Sequence, residues 1–252
     1  MTFSKILLAT ALILGSSMPM MAQFSNAGGS SFSSSQEIPS CFNRITFGYD
    51  ATFVSIPKDY SSLSDLFKSP TFNGFSVKYV HGWSLSSRFP LYIDAGLRLN
   101  MNFYSKVLEE DTYKQYSYKS SVSSKMMSLS VPINISYRLG ISDGISIQPY
   151  TGINFKVNVL GDITSTVEYT GEYGSEKESE TKSWFDEDYK EYGAKRFQMG
   201  WQIGLGVNFR KFYLGLEYGI DFMNLCKPDS KYFDDIKGIG TSHVEVSLGI
   251  NI

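Results

Sequence analysis

Hydrophobic and polar positions alternate most cleanly near the carboxyl end of the chain, in the segment 194–223. From Phe197 to Phe209 every odd position is large and apolar (Phe197, Met199, Trp201, Ile203, Leu205, Val207, Phe209), and every even one is Gly, Gln or Asn. After Arg210 and Lys211 the pattern restarts, with Phe212, Leu214, Leu216, Tyr218, Ile220 and Phe222 on one face and Tyr213, Gly215, Glu217, Gly219 and Asp221 on the other. A period of two interrupted by two residues predicts a long β-hairpin with a two-residue turn. Each arm keeps its alternation for eleven to thirteen residues. An average soluble strand has about five or six, whereas a tilted strand crossing a bilayer needs about nine to eleven. One face is apolar enough for lipid, and the other suits a packed polar lumen.

The same alternation recurs along the rest of the chain and predicts strands at 44–53, 74–83, 91–103, 127–139, 145–159, 197–209, 212–222 and 244–252. Pro132 stands out within the fourth, because it removes a donor from the ladder. The connections alternate between long and short. The long ones are rich in polar or charged residues (57–71, 108–124, 161–195 and 226–241), with 108–124 readable either as a loop or as two strands extended beyond the membrane. An even number of strands, with short turns at one end and long loops at the other, predicts an all-β fold: an eight-stranded antiparallel transmembrane β-barrel of the bacterial outer membrane, its short turns in the periplasm. A soluble lipocalin-like barrel is the rival, and it would turn the apolar face inward.

The stretch MSLSVPINISYRLG (127–140), with its internal proline, and the terminal VEVSLGINI (244–252) carry a resemblance to a known group. With the ensemble of alternating strands, they make the chain similar to the small OmpA/OmpX-type barrels, and more closely to the PorT-like "outer membrane protein beta-barrel domain" family. The resemblance covers nearly all of the chain after its first residues. It implies a membrane-embedded barrel and permits a part as an accessory barrel in a secretion or assembly complex.

The first residues alter the charge and the expected compartment. MTFSKILLATALILGSSMPMMA has a lone cation at Lys5, nine mostly apolar residues from Ile6 to Leu14 and a small residue at Ala22. This predicts a cleaved signal peptide over 1–22, too short in its apolar core to span a membrane as a helix. A Ser- and Gly-rich lead-in follows at 23–40, and the barrel is expected from 41 to 252. Without Lys5, 22 basic residues face 25 acidic ones, a net charge of −3 that gives nucleic acid nothing to bind. Cys41 and Cys226 are too few for a disulfide framework and sit in no metal-ligand spacing. No cofactor is expected.

Candidate chemistry lies on the polar face and in one loop. Arg44, Lys78, Arg98, Arg138 and Lys156 share the inward parity with Asp50, Asp94, Glu217, Asp221 and Glu245. Opposite charges at mid-depth read as a structural ion-pair plug, the alternative being a charged path for a small solute. His81 has outward parity and reads as a girdle residue. His243, expected at the outer rim of the last strand, is the one candidate base for a lipid hydrolase or acyltransferase. Inward glycines such as Gly204 and Gly206 are expected to make room for long side chains opposite. Between Glu172 and Glu191 eight acids and three lysines surround Trp184 and Phe185. This segment reads as a solvated acidic loop or, more sharply, as a divalent-ion or partner site at Asp186, Glu187 and Asp188 anchored by the aromatic pair. The expected role is that of a monomeric, non-enzymatic membrane scaffold. It would contact outer-membrane lipid along its wall and a protein partner at its long outer loops.

Overall fold

The structure is a computed structural model that describes residues 39–55, 70–113, 116–172, 174–185, 194–225 and 240–252. The expected leader, nearly all of the lead-in, Asp186, Glu187, Asp188 and Cys226 lie outside the described residues. Ten strands follow in chain order: β1 (Cys41–Ser55), β2 (Thr71–Ser84), β3 (Leu91–Tyr113), β4 (Tyr116–Tyr137), β5 (Leu139–Ser142), β6 (Ile145–Gly171), β7 (Gly174–Ser183), β8 (Phe197–Phe209), β9 (Phe212–Asp221) and β10 (Gly240–Asn251). Eight of them form a ring, β1–β2–β3–β4–β6–β8–β9–β10, and the ring closes where β1 pairs antiparallel with β10 from Arg44 opposite Asn251 to Ser55 opposite Gly240. β5 continues β4 past Arg138, and β7 pairs only with the far part of β6.

The alternation sorts side chains onto two faces of opposite character. Phe47 and Leu248 point outward and are 61% and 66% exposed, while Arg98 and Glu245 point inward and are 1% and 0% exposed. Charges inside and aliphatic or aromatic groups outside is the arrangement of a barrel whose solvent is lipid, the reverse of a lipocalin. Closure is what makes this tolerable, since backbone N–H and C=O groups have no water to bond in a bilayer. Pro132 leaves its mark on the wall. The β3–β4 pairing lapses opposite it, between the pairs Ala95–Ile133 and Arg98–Ser130, and resumes in the same register.

At one end the turns are short and tied together. Arg210 adopts a left-handed φ of 54° between β8 and β9, its N–H donates to Gly144 O at 2.6 Å in the neighbouring turn, and Asn251 N–H donates to Lys211 O at 2.7 Å. At the other end the wall keeps going. β3 and β4 stay paired up to Tyr113 and Tyr116, the β4–β6 ladder reaches Ser117–Thr170, and β6–β7 pairs run from Asp162–Ser183 to Gly171–Gly174. The result is a four-stranded extension, β3–β4–β6–β7, standing beyond the ring. Register shifts between Val107 and Glu109 and between Met127 and Ser128 lie near its base.

Of the segment 108–124, the described residues 108–113 and 116–124 are therefore strand extension rather than loop. The expected long loop 161–195 is corrected for its first part, which is a hairpin. Ile163, Thr164, Thr166, Val167, Tyr169 and Thr170 are β-branched or aromatic and favour strand, and β4 offers them an edge to pair with. With water on both faces, such a strand has no need of an apolar period.

Candidate functional site: the filled lumen and its mouth

The lumen is packed in three layers. In the middle layer Arg98 donates through Nη2 to Asp50 Oδ2 (2.7 Å) and Glu245 Oε2 (2.6 Å), and through Nη1 to Glu217 Oε1 (2.7 Å). Lys78 Nζ bridges Glu217 (2.9 Å) and Glu245 (3.1 Å). Neutral donors complete the carboxylates: Ser76 to Glu245 (2.7 Å), Tyr150 to Glu217 (2.9 Å), and Thr52 and Asn102 to Asp50 (2.9 and 2.6 Å). Two cations thus serve three carboxylates contributed by β1, β9 and β10. Such a cluster withstands burial only because every charge has several short partners.

Nearer the long-loop end, Lys156 pairs with Asp221, which also accepts from the Thr241 hydroxyl. Toward the short turns the chemistry changes. Arg44 donates to Gln148 (2.7 Å), Asn208 (3.1 Å) and Asn251 (2.9 Å), and its guanidinium lies 3.6 Å from the centre of the Tyr213 ring. Arg138 lies 4.6 Å from the Phe42 ring and 5.5 Å from that of Tyr92. Asp94 accepts from Gln148 at 3.4 Å, and its Oδ1 has no hydrogen-bond partner. Of the expected lumen network, the structure joins Asp50, Lys78, Arg98, Glu217 and Glu245 into one cluster and Lys156 with Asp221 into another. It leaves Arg44 and Asp94 out of both. Neutral amides and ring faces hold Arg44 instead, a favourable setting for a cation that lacks a carboxylate within reach.

His243 is not at the rim. Opposite Thr52 and Gly219 in the ladders, it is buried with Nε2 3.1 Å from Arg98 Nη1 and 3.5 Å from Glu217 Oε1. β10 begins at Gly240, four residues before the expected start at 244, which sets His243 within the strand and not at its head. His81 stays on the outer wall, packed edge-on against Trp83 with ring centres 4.3 Å apart and bonded to Asn43 at 2.6 Å.

Tyr150, Tyr92 and Phe42 are lumen residues that sequence reasoning missed. Tyr150 has the inward parity of Gln148 and Gly152, and the glycine row opposite was the available signal. A Cβ on Gly204 would lie 2.2 Å from Tyr150 Cζ, and one on Gly219 would lie 2.2 Å from His243 Cε1. The small residues are therefore spaces already filled by large ones. A cavity of about 20 Å³ lies among Lys78, Tyr150, Tyr213 and Glu217, with room for about one water.

Aromatic groups gather at the long-loop end of the barrel. Buried Phe72 packs against Tyr104 (5.4 Å between ring centres) and meets the Trp184 ring edge-on at 5.8 Å. Trp184 N–H donates to Gly161 O and its carbonyl accepts from Ala194 N–H. Phe185 lies over Gly161, with the Arg196 guanidinium 4.5 Å from its ring centre. The pair expected to anchor a partner is thus engaged by the rim of its own barrel. Among the described residues no group of His, Cys, Asp and Glu could hold a metal ion.

Comparison with known proteins places these features in a wider setting. A family described as "Outer membrane protein beta-barrel domain" matches residues 26–225. No curated protein matches the chain. Among solved structures, the chain is similar to Ail, the attachment invasion locus protein of Yersinia pestis, at 14% identity and a TM-score of 0.38, covering 85% of this chain and 100% of that one. It is also similar to Neisserial surface protein A at 10% identity and a TM-score of 0.36, covering 82% of this chain and 96% of that one. The outer membrane enzyme PagL matches at 10% identity and a TM-score of 0.36, covering 81% of this chain and 98% of that one.

Proposed function

Because this chain belongs to the outer membrane protein β-barrel domain family, we propose that it acts as a sealed, monomeric, non-enzymatic barrel that displays its four-stranded extension outside the cell. Its location is the bacterial outer membrane. The packed lumen carries the reading: the Arg98 cluster fills the middle of the ring, and the cavity beside it, lined by Lys78, Tyr150 and Glu217, holds only about 20 Å³, which supports a plug over a path for solutes. His243, the group nearest to a catalytic reading, is engaged inside that plug by Arg98 and Glu217, away from the lipid-facing surface where an acyl chain would be met. The extension stands at the end opposite the short turns, which in such barrels is the extracellular end, and it offers both faces to water.

Planar bilayers and intact cells test the two halves of this reading. The purified protein is expected to insert without large, stable conductance, and protease added to cells is expected to cut within 174–183 before any other described segment. Steady porin-like currents would overturn the seal. Cutting at the Asp143–Gly144 turn with 174–183 protected would invert the orientation.

A further inference from the structure

One face of the extension differs from the other in a way that the barrel does not require. Reading across the four strands, Asp111, Tyr118, Tyr169 and Glu176 are direct neighbours and share a face. The row beyond, Tyr113, Tyr116, Gly171 and Gly174, lies on the same face, as does the row nearer the barrel, Glu109, Ser120, Val167 and Glu178. The Tyr118 and Tyr169 rings are 5.1 Å apart, Tyr116 and Tyr169 are more than half exposed, and a Cβ added to Gly174 would meet nothing within 4 Å. Between these side chains lies a groove of about 530 Å³ with Asp111 on one margin and Glu176 on the other. The opposite face carries the row Glu110, Lys119, Glu168 and Lys177, whose charges balance, with Lys119 and Glu110 paired at 3.5 Å. The lysines of these described rows thus fall on that face, and among the described residues no ion pair engages Asp111 or Glu176 on the groove face.

We propose that this groove docks an extended polypeptide segment carrying cationic side chains at every second residue. Aromatic faces bordered by carboxylates complement arginine or lysine, since a ring attracts a cation over its face and the carboxylates add charge-assisted hydrogen bonds. The dimensions agree. Four strands at about 4.8 Å separate the two acidic margins by roughly 14 Å, and side chains two apart along an extended peptide are about 7 Å apart. A segment crossing the strands sets its first and fifth residues on Asp111 and Glu176, and its third over Tyr118 and Tyr169. The proposal rests on the reading of this end as the displayed one.

The test uses the full chain in detergent micelles and a labelled Arg-Ser-Arg-Ser-Arg peptide, followed by fluorescence anisotropy, with every variant first checked for retained folded mobility in cold SDS. The wild type is expected to bind. Tyr118→Ser with Tyr169→Ser, and separately Asp111→Asn with Glu176→Gln, should each weaken binding about tenfold. Tyr118→Phe with Tyr169→Phe should retain it, and Glu168→Gln, which removes a charge from the opposite face, should leave it unchanged. No binding by the wild type, equal loss in Glu168→Gln, or loss in the Phe variants would overturn the proposal. So would binding of neutral maltopentaose that displaces the peptide and survives Asp111→Asn with Glu176→Gln, which would make the platform a saccharide site. Peptide bound by the purified protein but not by intact cells would unseat the outward orientation and leave the groove standing.

Discussion

Along β6, Gln148, Asn154 and Asn158 are buried in the lumen, whereas Ser165, Tyr169 and Thr170 of the same strand stand exposed in an open sheet. Both regions pair antiparallel with β4, separated only by the register shift at Met127 and Ser128, so backbone pairing does not distinguish them. What differs is the surroundings of the side chains. In the barrel, Asp50, Glu217 and Glu245 are at most 2% exposed and meet Arg98 at 2.6 to 2.7 Å. In the extension, Lys119 and Glu110 stand 3.5 Å apart with 43% and 60% of their side chains exposed. The barrel removes its edges by closing. The extension keeps an edge strand, β7, and charges it at Glu176, Lys177, Glu178, Glu180 and Lys182, a composition that discourages pairing with other chains. A charge inside the wall is thus a structural element, while the charges of these exposed pairs in the extension stay in contact with water.

The sharpest way to break this contrast is to remove the central cation. Arg98→Leu leaves Asp50, Glu217 and Glu245 with Lys78 alone, and should destabilise the folded barrel by about 3–5 kcal/mol, read from urea unfolding in lipid vesicles. A loss of under about 1 kcal/mol would show that water, and not the cluster, solvates the lumen. Gly204→Val probes packing without touching charge. Its new atoms would collide with the Tyr150 ring, and a cost of about 1–3 kcal/mol is expected in the same measurement. Combining it with Tyr150→Ala should recover part of that loss. Additive costs would mean that the two side chains do not share the space. The smallest effect is expected in the extension, where Lys119→Ala breaks an exposed pair and should alter unfolding by no more than about 0.5 kcal/mol. A larger change there would mean that the extension is part of the cooperative core of the barrel.

By itself the sequence determined which side chains share a face, because in a strand that question is settled locally by a period of two and needs no knowledge of neighbours, while the structure decided that the apolar face is the outer one. It also determined the ring of eight strands, since each membrane-crossing segment must carry its own apolar face. The tertiary structure alone decided who meets whom inside. Glu217 reaches Arg98 and Lys78 across 119 and 139 residues of chain. Those meetings depend on the stagger between strands around a closed ring, which parity does not encode. The same stagger gives Arg44 to Gln148 and Tyr213, leaves Asp94 outside the ion pairs, and sinks His243 beside Arg98. Of the extension, the β3–β4 part was open to the sequence as one of two readings, whereas the β6–β7 part was hidden for a different reason. Strands wetted on both faces bury no apolar stripe, so 163–183 shows no alternation of the kind that marks the wall. It becomes sheet because β4 presents an edge with which β6 can pair.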